Sequence, residues 1–235
     1  MFMIGFDEYI IRWLNSYANR VPDFDSLMLL LLTNLLKGGI IAALIWWAWF
    51  RTEGDIKRNR EIMLSTLAGA FGAMFTSHGL ALTLPFRFRP IHNPEIAFQL
   101  PYGMVRKALD GWSSFPSDHA ALFFALTVGL WMVSRRIGIV ALLHTVFIIS
   151  FPRVYLGLHY PTDIIFGATI GVCWVALINI PAIKNLTVRP AMFWLEHHAM
   201  SFYAAFFLLT EQIATIFDDA STVAGAVIAV LKRLF

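Results

Sequence analysis

The stretch FPSDHAALFFAL (residues 115–126) sets a serine, an aspartate and a histidine directly ahead of an uninterrupted apolar run. Ser117 is a good N-cap and Asp118 suits a first helical turn, where backbone N–H groups lack partners and the helix dipole favours negative charge. A helix start explains Pro116, Ser117 and Asp118 in full. It does not explain His119, which falls one position inside the apolar segment. A helix N-terminus also attracts anions, and a histidine there is placed to protonate a leaving oxygen.

The apolar run is one of several. Of 235 residues, 58% are hydrophobic and 14% charged, and the mean hydropathy is +0.67. A soluble domain is about 45–50% apolar and about 25% charged. A bilayer crossing takes about 20 mostly apolar residues, and five or six segments qualify: 26–50 (interrupted by Lys37), 62–84, 118–134, 137–152, 162–180 and, less clearly, 199–217 with Glu211. The expected fold is therefore all-α: a polytopic membrane bundle of five or six transmembrane helices forming a single domain over 1–235. Residues 1–25 read as an interfacial amphipathic helix, with Ile4, Tyr9, Ile10, Trp13 and Leu14 against Asp7, Glu8, Arg12 and Asn15. Residues 220–235 read as another. The N-terminus lacks the basic start and small-residue cleavage site of a signal peptide. Cys173 stands alone, which excludes an internal disulfide and a multi-cysteine metal site. The pI near 9.2 fits loop charge that sets topology and meets anionic lipid, so no nucleic-acid partner is expected.

Basic residues at Arg51, Lys57, Arg58, Arg60, at Arg135, Arg136 and at Lys184, Arg189 fall in alternate loops, which puts those loops on the cytoplasmic side. The opposite side receives loops 85–117 and 153–161. These carry Arg87, Arg89, Arg106, Lys107 and Arg153 against the topological trend, so an anionic ligand is expected there.

Three patches converge on that side. In LPFRFRP (84–90), an extended conformation points Arg87 and Arg89 the same way. Two guanidiniums on one face suit a phosphate, and they equally suit lipid headgroups. The second patch is PSDH (116–119). In the third, RVYLGLHYPTD (153–163), Pro161 starts a helix, Asp163 falls in its first turn and His159 lies just outside. A carboxylate beside an imidazole fixes its tautomer and supports its positive form, which frees the other ring nitrogen to act as a nucleophile. A purely structural His–Asp pair fits the third patch alone. Together the patches offer arginines for a tetrahedral anion, an oriented nucleophile and an acid.

Arg89–Pro90, PSDH and Arg153-x5-His159-x3-Asp163 resemble the three signatures of the type-2 phosphatidic acid phosphatase (PAP2) superfamily, whose pattern is K-x6-RP, PSGH and SR-x5-H-x3-D. The resemblance implies that His159 attacks phosphorus, Asp163 orients it, and His119 protonates the leaving group and then activates water. Arg89, Arg153 and Ser117 would hold the phosphate oxygens, with no cofactor and no metal. It further implies a lipid phosphate or pyrophosphate substrate, surrounding membrane lipids as partners, and a bacterial inner membrane with the site facing the periplasm or cell exterior. A lipid-to-lipid phosphotransferase, or a non-enzymatic transporter or scaffold, are the alternatives, and oligomeric state is left open. Three positions depart from the pattern: Leu82 stands at the family lysine, Asp118 at the glycine and Pro152 at the serine. Arg87 is the nearest replacement for the lysine's charge and joins the phosphate-binding candidates, with Lys107 as a second. Outside the signatures, His78 and His144 read as packed histidines, His197–His198 as part of a cytoplasmic loop, Glu211 as a partner of Lys37 or a group facing water, and residues 94–112 as a lid, a lipid-entry wall or a plain loop.

Overall fold

The computed structural model describes residues 5–33 and 35–215, and the expected segment at 220–235 lies outside them. Among the described residues there is no β-strand. The helices are α1 (Gly5–Asn15), α2 (Pro22–Leu30), α3 (Ile40–Phe50), α4 (Ile56–Thr83), α5 (Asp118–Val133), α6 (Arg135–His144), α7 (Phe151–Tyr155), α8 (Pro161–Ile178), α9 (Pro181–His197) and α10 (Ala199–Thr215). A π-helical turn, Leu35–Gly39, leads into α3, and a second, Thr145–Ser150, joins α6 to α7.

Helix starts follow the local chemistry. Asp55 caps α4 by accepting from the Arg58 amide at 3.1 Å, and Ser117 caps α5 by accepting from the Ala120 amide at 3.3 Å. Pro161 opens α8, where Asp163 accepts from the Tyr160 amide at 2.8 Å. Such side-chain acceptors satisfy amides that have no partner inside the helix.

Helices α4, α5 and α8 pack most extensively on one another. Small residues make this possible: a Cβ at Gly167 would run into the Ser117 carbonyl, and one at Gly171 into the Ala121 carbonyl. Backbone approach of this kind is how helices associate where lipid removes the hydrophobic drive. It also seats the first turn of α8 against the N-cap of α5, where the Ser117 amide donates to the Asp163 carbonyl at 3.2 Å. One buried cluster fills the bundle, with Ile41, Ile45, Trp49, Met63, Leu126, Leu130, Val175 and Phe206. A second, of Ile11, Leu14, Ile91, Phe98, Tyr155, Leu158 and Tyr160, sits under the loop between α4 and α5.

Two of the described helices, Arg135–Tyr155 and Pro161–Ile178, are long and apolar enough to cross a membrane, or three if Pro22–Leu30 and Leu35–Phe50, bent by 60°, count as one broken span. That is fewer than the five or six crossings expected, although the apolar segments lie where the sequence puts them. At 16 residues α5 reaches about 24 Å, short of a hydrocarbon core of about 30 Å. Residues 181–197, expected as a charged loop, form α9, with Val188, Met192 and Leu195 buried and Pro190 inside the helix. The basic loops do share one end: Arg51 donates to the Val133 carbonyl at 2.9 Å, and Lys184 pairs with Glu61 at 3.3 Å.

Helix α1 keeps Leu14 buried and Arg12 exposed, as its amphipathic pattern predicts, but turns two of its polar residues inward. Asp7, Ile11, Leu14 and Asn15 are buried, while Phe6, Tyr9 and Trp13 are exposed. Asp7 and Asn15, expected on the polar face, bond inward to Arg87 and to the Gln99 backbone.

Candidate active site

At the end of the bundle away from the basic loops lies a cavity of about 700 Å³. Helix α5 contributes Asp118 and His119 to its wall, α7 Arg153, and α4 Met74, Phe75 and His78; the residues ahead of α8 supply Leu158 and His159, the α4–α5 loop Arg89, Leu109 and Trp112, and the first bent span Lys37.

His159 is buried. Its Nδ1 lies 2.8 Å from the Ser114 carbonyl and 3.6 Å from Asp163 Oδ2. A carbonyl only accepts, so Nδ1 carries the proton and Nε2 keeps its lone pair. That lone pair receives Arg89 Nη1 at 3.2 Å. Burial holds the imidazole below its ordinary pKa; Asp163 opposes the shift and Arg89 adds to it. The resemblance implies that Asp163 orients His159. The direct acceptor is instead the Ser114 carbonyl, and Asp163 accepts from Ser114 Oγ at 2.5 Å, fixing the loop that holds the ring.

Arg89 is clamped from three sides. It donates to the Leu158 carbonyl at 2.6 Å, the Ser113 carbonyl at 3.2 Å and the Trp112 carbonyl at 3.2 Å. Arg153 Nη1 donates to the Ile149 carbonyl at 2.5 Å, the last turn before α7. Both guanidiniums thus reach the cavity already oriented, which lowers the entropy lost on binding an anion.

His119 has its own carboxylate. Asp118 Oδ1 accepts from the His119 backbone amide at 2.7 Å and lies 2.8 Å from Nδ1. Asp118, the residue that looks wrong beside an anion, holds the second histidine with its Nδ1 proton inward and Nε2 outward. Two histidines, each with a fixed tautomer, therefore face one cavity with two guanidiniums.

Two expected phosphate ligands are elsewhere. Arg87 is buried and does not line the cavity: its Nη1 donates to Asp163 Oδ1 and, at 3.0 Å, to Thr162 Oγ1, and its Nη2 donates to Asp7 Oδ2 at 2.6 Å. Its two carboxylate partners consume the fork that a phosphate would need. The Ser117 side chain is fully buried and is used by the α5 cap. Leu82 is 70% exposed, and Lys107 is exposed outside the cavity wall, so neither supplies the missing cation. Lys37, in sequence an interruption of the first apolar segment and a candidate partner of Glu211, stands in the wall instead. A charge inside an apolar segment turns inward or toward water, and that was the one signal available.

His144 is packed as expected, with Nε2 2.7 Å from the Leu36 carbonyl. His78 is not: it is exposed on the cavity wall, its ring centroid 5.8 Å from that of Trp112. Trp112 and Leu109 place the end of the 94–112 segment over the cavity. Among the described residues no group of three or more His, Cys, Asp or Glu side chains has the arrangement of a metal site. Replacing Asp118 tests its hold on His119. Asp118→Asn is expected to lower kcat by about 10²-fold, the low end of what a positioned general acid or base is worth, while KM falls because a negative charge leaves the cavity. Steady-state kinetics on a lipid phosphate read both constants; an unchanged kcat contradicts the role.

The family model of the PAP2 superfamily matches residues 61–184, a span that holds the cavity-lining histidines and arginines. The chain is 23% identical to the putative undecaprenyl-diphosphatase YbjG of Escherichia coli, over 67% of this chain and 73% of that protein. It is 22% identical to the undecaprenyl-diphosphatase BcrC of Bacillus subtilis, over 69% of this chain and 77% of that protein. A shorter match, 38% identical over 36% of this chain and 38% of the relative, is to the lipid A 4'-phosphatase of Bacteroides thetaiotaomicron. No solved structure matches the chain.

Proposed function

This chain belongs to the PAP2 superfamily and is a phosphatase of that type, and on that footing we propose that it removes the terminal phosphate of a polyprenyl diphosphate at the outer face of a bacterial inner membrane. The reading is supported above all by one observation: His159, His119, Arg89 and Arg153 line a single cavity at the end of the bundle opposite the basic loops. The relatives that match over two thirds of this chain carry the name undecaprenyl-diphosphatase, which favours the diphosphate over phosphatidic acid or phosphatidylglycerophosphate.

In the proposed mechanism His159 Nε2 attacks phosphorus in line with the bond to the leaving oxygen. Arg89 and Arg153 neutralise the equatorial oxygens; electrostatic stabilisation of this kind dominates phosphoryl transfer. As the phosphorus–oxygen bond breaks, His119 gives its proton to the departing lipid phosphate. His119, now neutral, takes a proton from water. The hydroxide displaces His159 from phosphorus, and inorganic phosphate leaves. The lipid tail stays in the bilayer beside the apolar wall formed by Met74, Phe75 and Leu158. Residues 94–112 act as the lid.

Purified protein in detergent, offered undecaprenyl diphosphate, phosphatidic acid and phosphatidylglycerophosphate in turn, tests the reading by phosphate release. The expected result is release from all three, highest kcat/KM with the diphosphate, and no loss with a chelator present. Release from none of them would overturn the proposed substrate class, and loss on chelation would end the metal-free mechanism.

A pH dependence follows from His159. The neutral ring is the nucleophile, and burial lowers its pKa. A lowered pKa keeps the ring neutral further into acid, so the acid limb of kcat/KM is expected below about pH 6.5, the ordinary imidazole value. A limb at or above that value means that His159 is not the group titrating there.

A further inference from the structure

Among the described residues, a buried charge cluster that the proposed chemistry does not use is centred on Asp7. Its side chain has no solvent exposure, although it lies near the start of α1, far from every signature in sequence. Oδ2 accepts from Arg87 Nη2 at 2.6 Å and from Thr162 Oγ1 at 2.5 Å, and Oδ1 accepts from the Thr162 amide at 3.0 Å. The other amine of Arg87 donates to Asp163 Oδ1, and the guanidinium lies over the Tyr160 ring, 4.1 Å from its centroid. Asp163 Oδ2 then faces Ser114 Oγ and His159 Nδ1, at 2.5 Å and 3.6 Å. The chain of contacts runs from α1 through the α4–α5 loop to α8 and ends on the histidine.

Charge explains why two carboxylates are present. Arg87 with Asp163 alone is a neutral pair and offers little to a histidine that becomes positive. A second carboxylate on the far side of the same guanidinium leaves the cluster one net negative charge, in a place where water does not screen it. When His159 forms its bond to phosphorus, its ring gains the positive charge that this cluster complements.

We infer that Asp7 is a positioning residue of the phosphatase site, acting through Arg87 on Asp163 and His159, so that helix α1 belongs to the catalytic unit. The inference rests on His159 being the nucleophile, as proposed above. Asp7 touches neither the cavity nor a substrate. Helix α1 meanwhile exposes Phe6, Tyr9 and Trp13 on its other face.

The test is Asp7→Asn, which keeps the shape and one acceptor oxygen but removes the charge, assayed on undecaprenyl diphosphate in detergent with thermal unfolding measured alongside. The expected result is a 10- to 100-fold fall in kcat with KM within threefold of the parent. In an Arg87→Gln background the same change is expected to cost no more than a further twofold, because its route is already cut. If Asp7→Asn does not fold, Arg87→Lys serves: one ammonium replaces the two-armed fork between Asp7 and Asp163, and kcat is expected to fall by the same factor. A kcat within threefold of the parent in the folded variant, or losses that multiply in the double variant, overturns the inference. His159→Ala in the same assay separates the two readings. If His159→Ala keeps turnover, the nucleophile assignment fails; if it is inactive while Asp7→Asn runs at full speed, the role of Asp7 alone fails.

Discussion

His159→Ala is expected to lower phosphate release from undecaprenyl diphosphate by at least about 10⁴-fold, the scale seen when a covalent nucleophile is removed, with the protein still folded. The ring makes few contacts that the fold needs. It donates to one carbonyl, that of Ser114, and receives Arg89 on its other nitrogen. Arg89 keeps three carbonyl partners without it, so the anion site survives. The variant should therefore bind a lipid phosphate and fail to turn it over. Binding measured with the radiolabelled substrate, beside phosphate release, reads both. Turnover within tenfold of the parent means that the phosphoryl group does not pass through His159.

His119→Ala is expected to cost about 10²- to 10⁴-fold in kcat, the usual worth of a general acid or base. The pattern of loss is more diagnostic than its size. The proton that His119 donates matters in proportion to the basicity of the leaving oxygen. With an aryl phosphate whose leaving group needs no proton, the first step should proceed at near the parent rate. The second step still needs a base for water, so the phosphorylated enzyme should accumulate. A burst of the phenolate followed by slow turnover is the expected time course. Equal losses with both leaving groups and no burst would remove His119 from the acid role, leaving it as a ligand of the anion.

What was legible in the sequence was local. Ser117, Asp118 and His119 are neighbours on one turn, and Arg153, His159 and Asp163 fall within a few residues of a helix start marked by Pro161, so spacing alone brought each set together. Arg87 shows where such reading stops. From local geometry it is equivalent to Arg89, since Phe86 and Phe88 both point outward and are exposed. Their partners differ, because the carboxylates that claim Arg87 lie 76 and 80 residues away along the chain. Asp7 was misplaced for the same reason. A helix pattern gives the two faces but not the partners that reach them, and Asp7 is buried by Arg87 and Thr162, 80 and 155 residues away along the chain. Ser114 acts through its carbonyl, a group every residue has, so no side-chain pattern marks it. Lys184 and Arg189 mark residues 181–197 as a loop, yet these residues form a helix lying on α4 and α10. The first apolar segment breaks between Leu30 and Leu35 with a 60° bend, and Lys37, in the π turn Leu35–Gly39 that follows, lines the cavity.

The central claim is a covalent intermediate on one named nitrogen. Brief exposure of the enzyme to undecaprenyl diphosphate labelled with ³²P in its terminal phosphate, followed by denaturing quench, peptide digestion and mass spectrometry, tests it most directly. The expected result is a label that survives base, is lost in acid and maps to the peptide containing His159. A label on another residue, or no label while phosphate is being released, would contradict it.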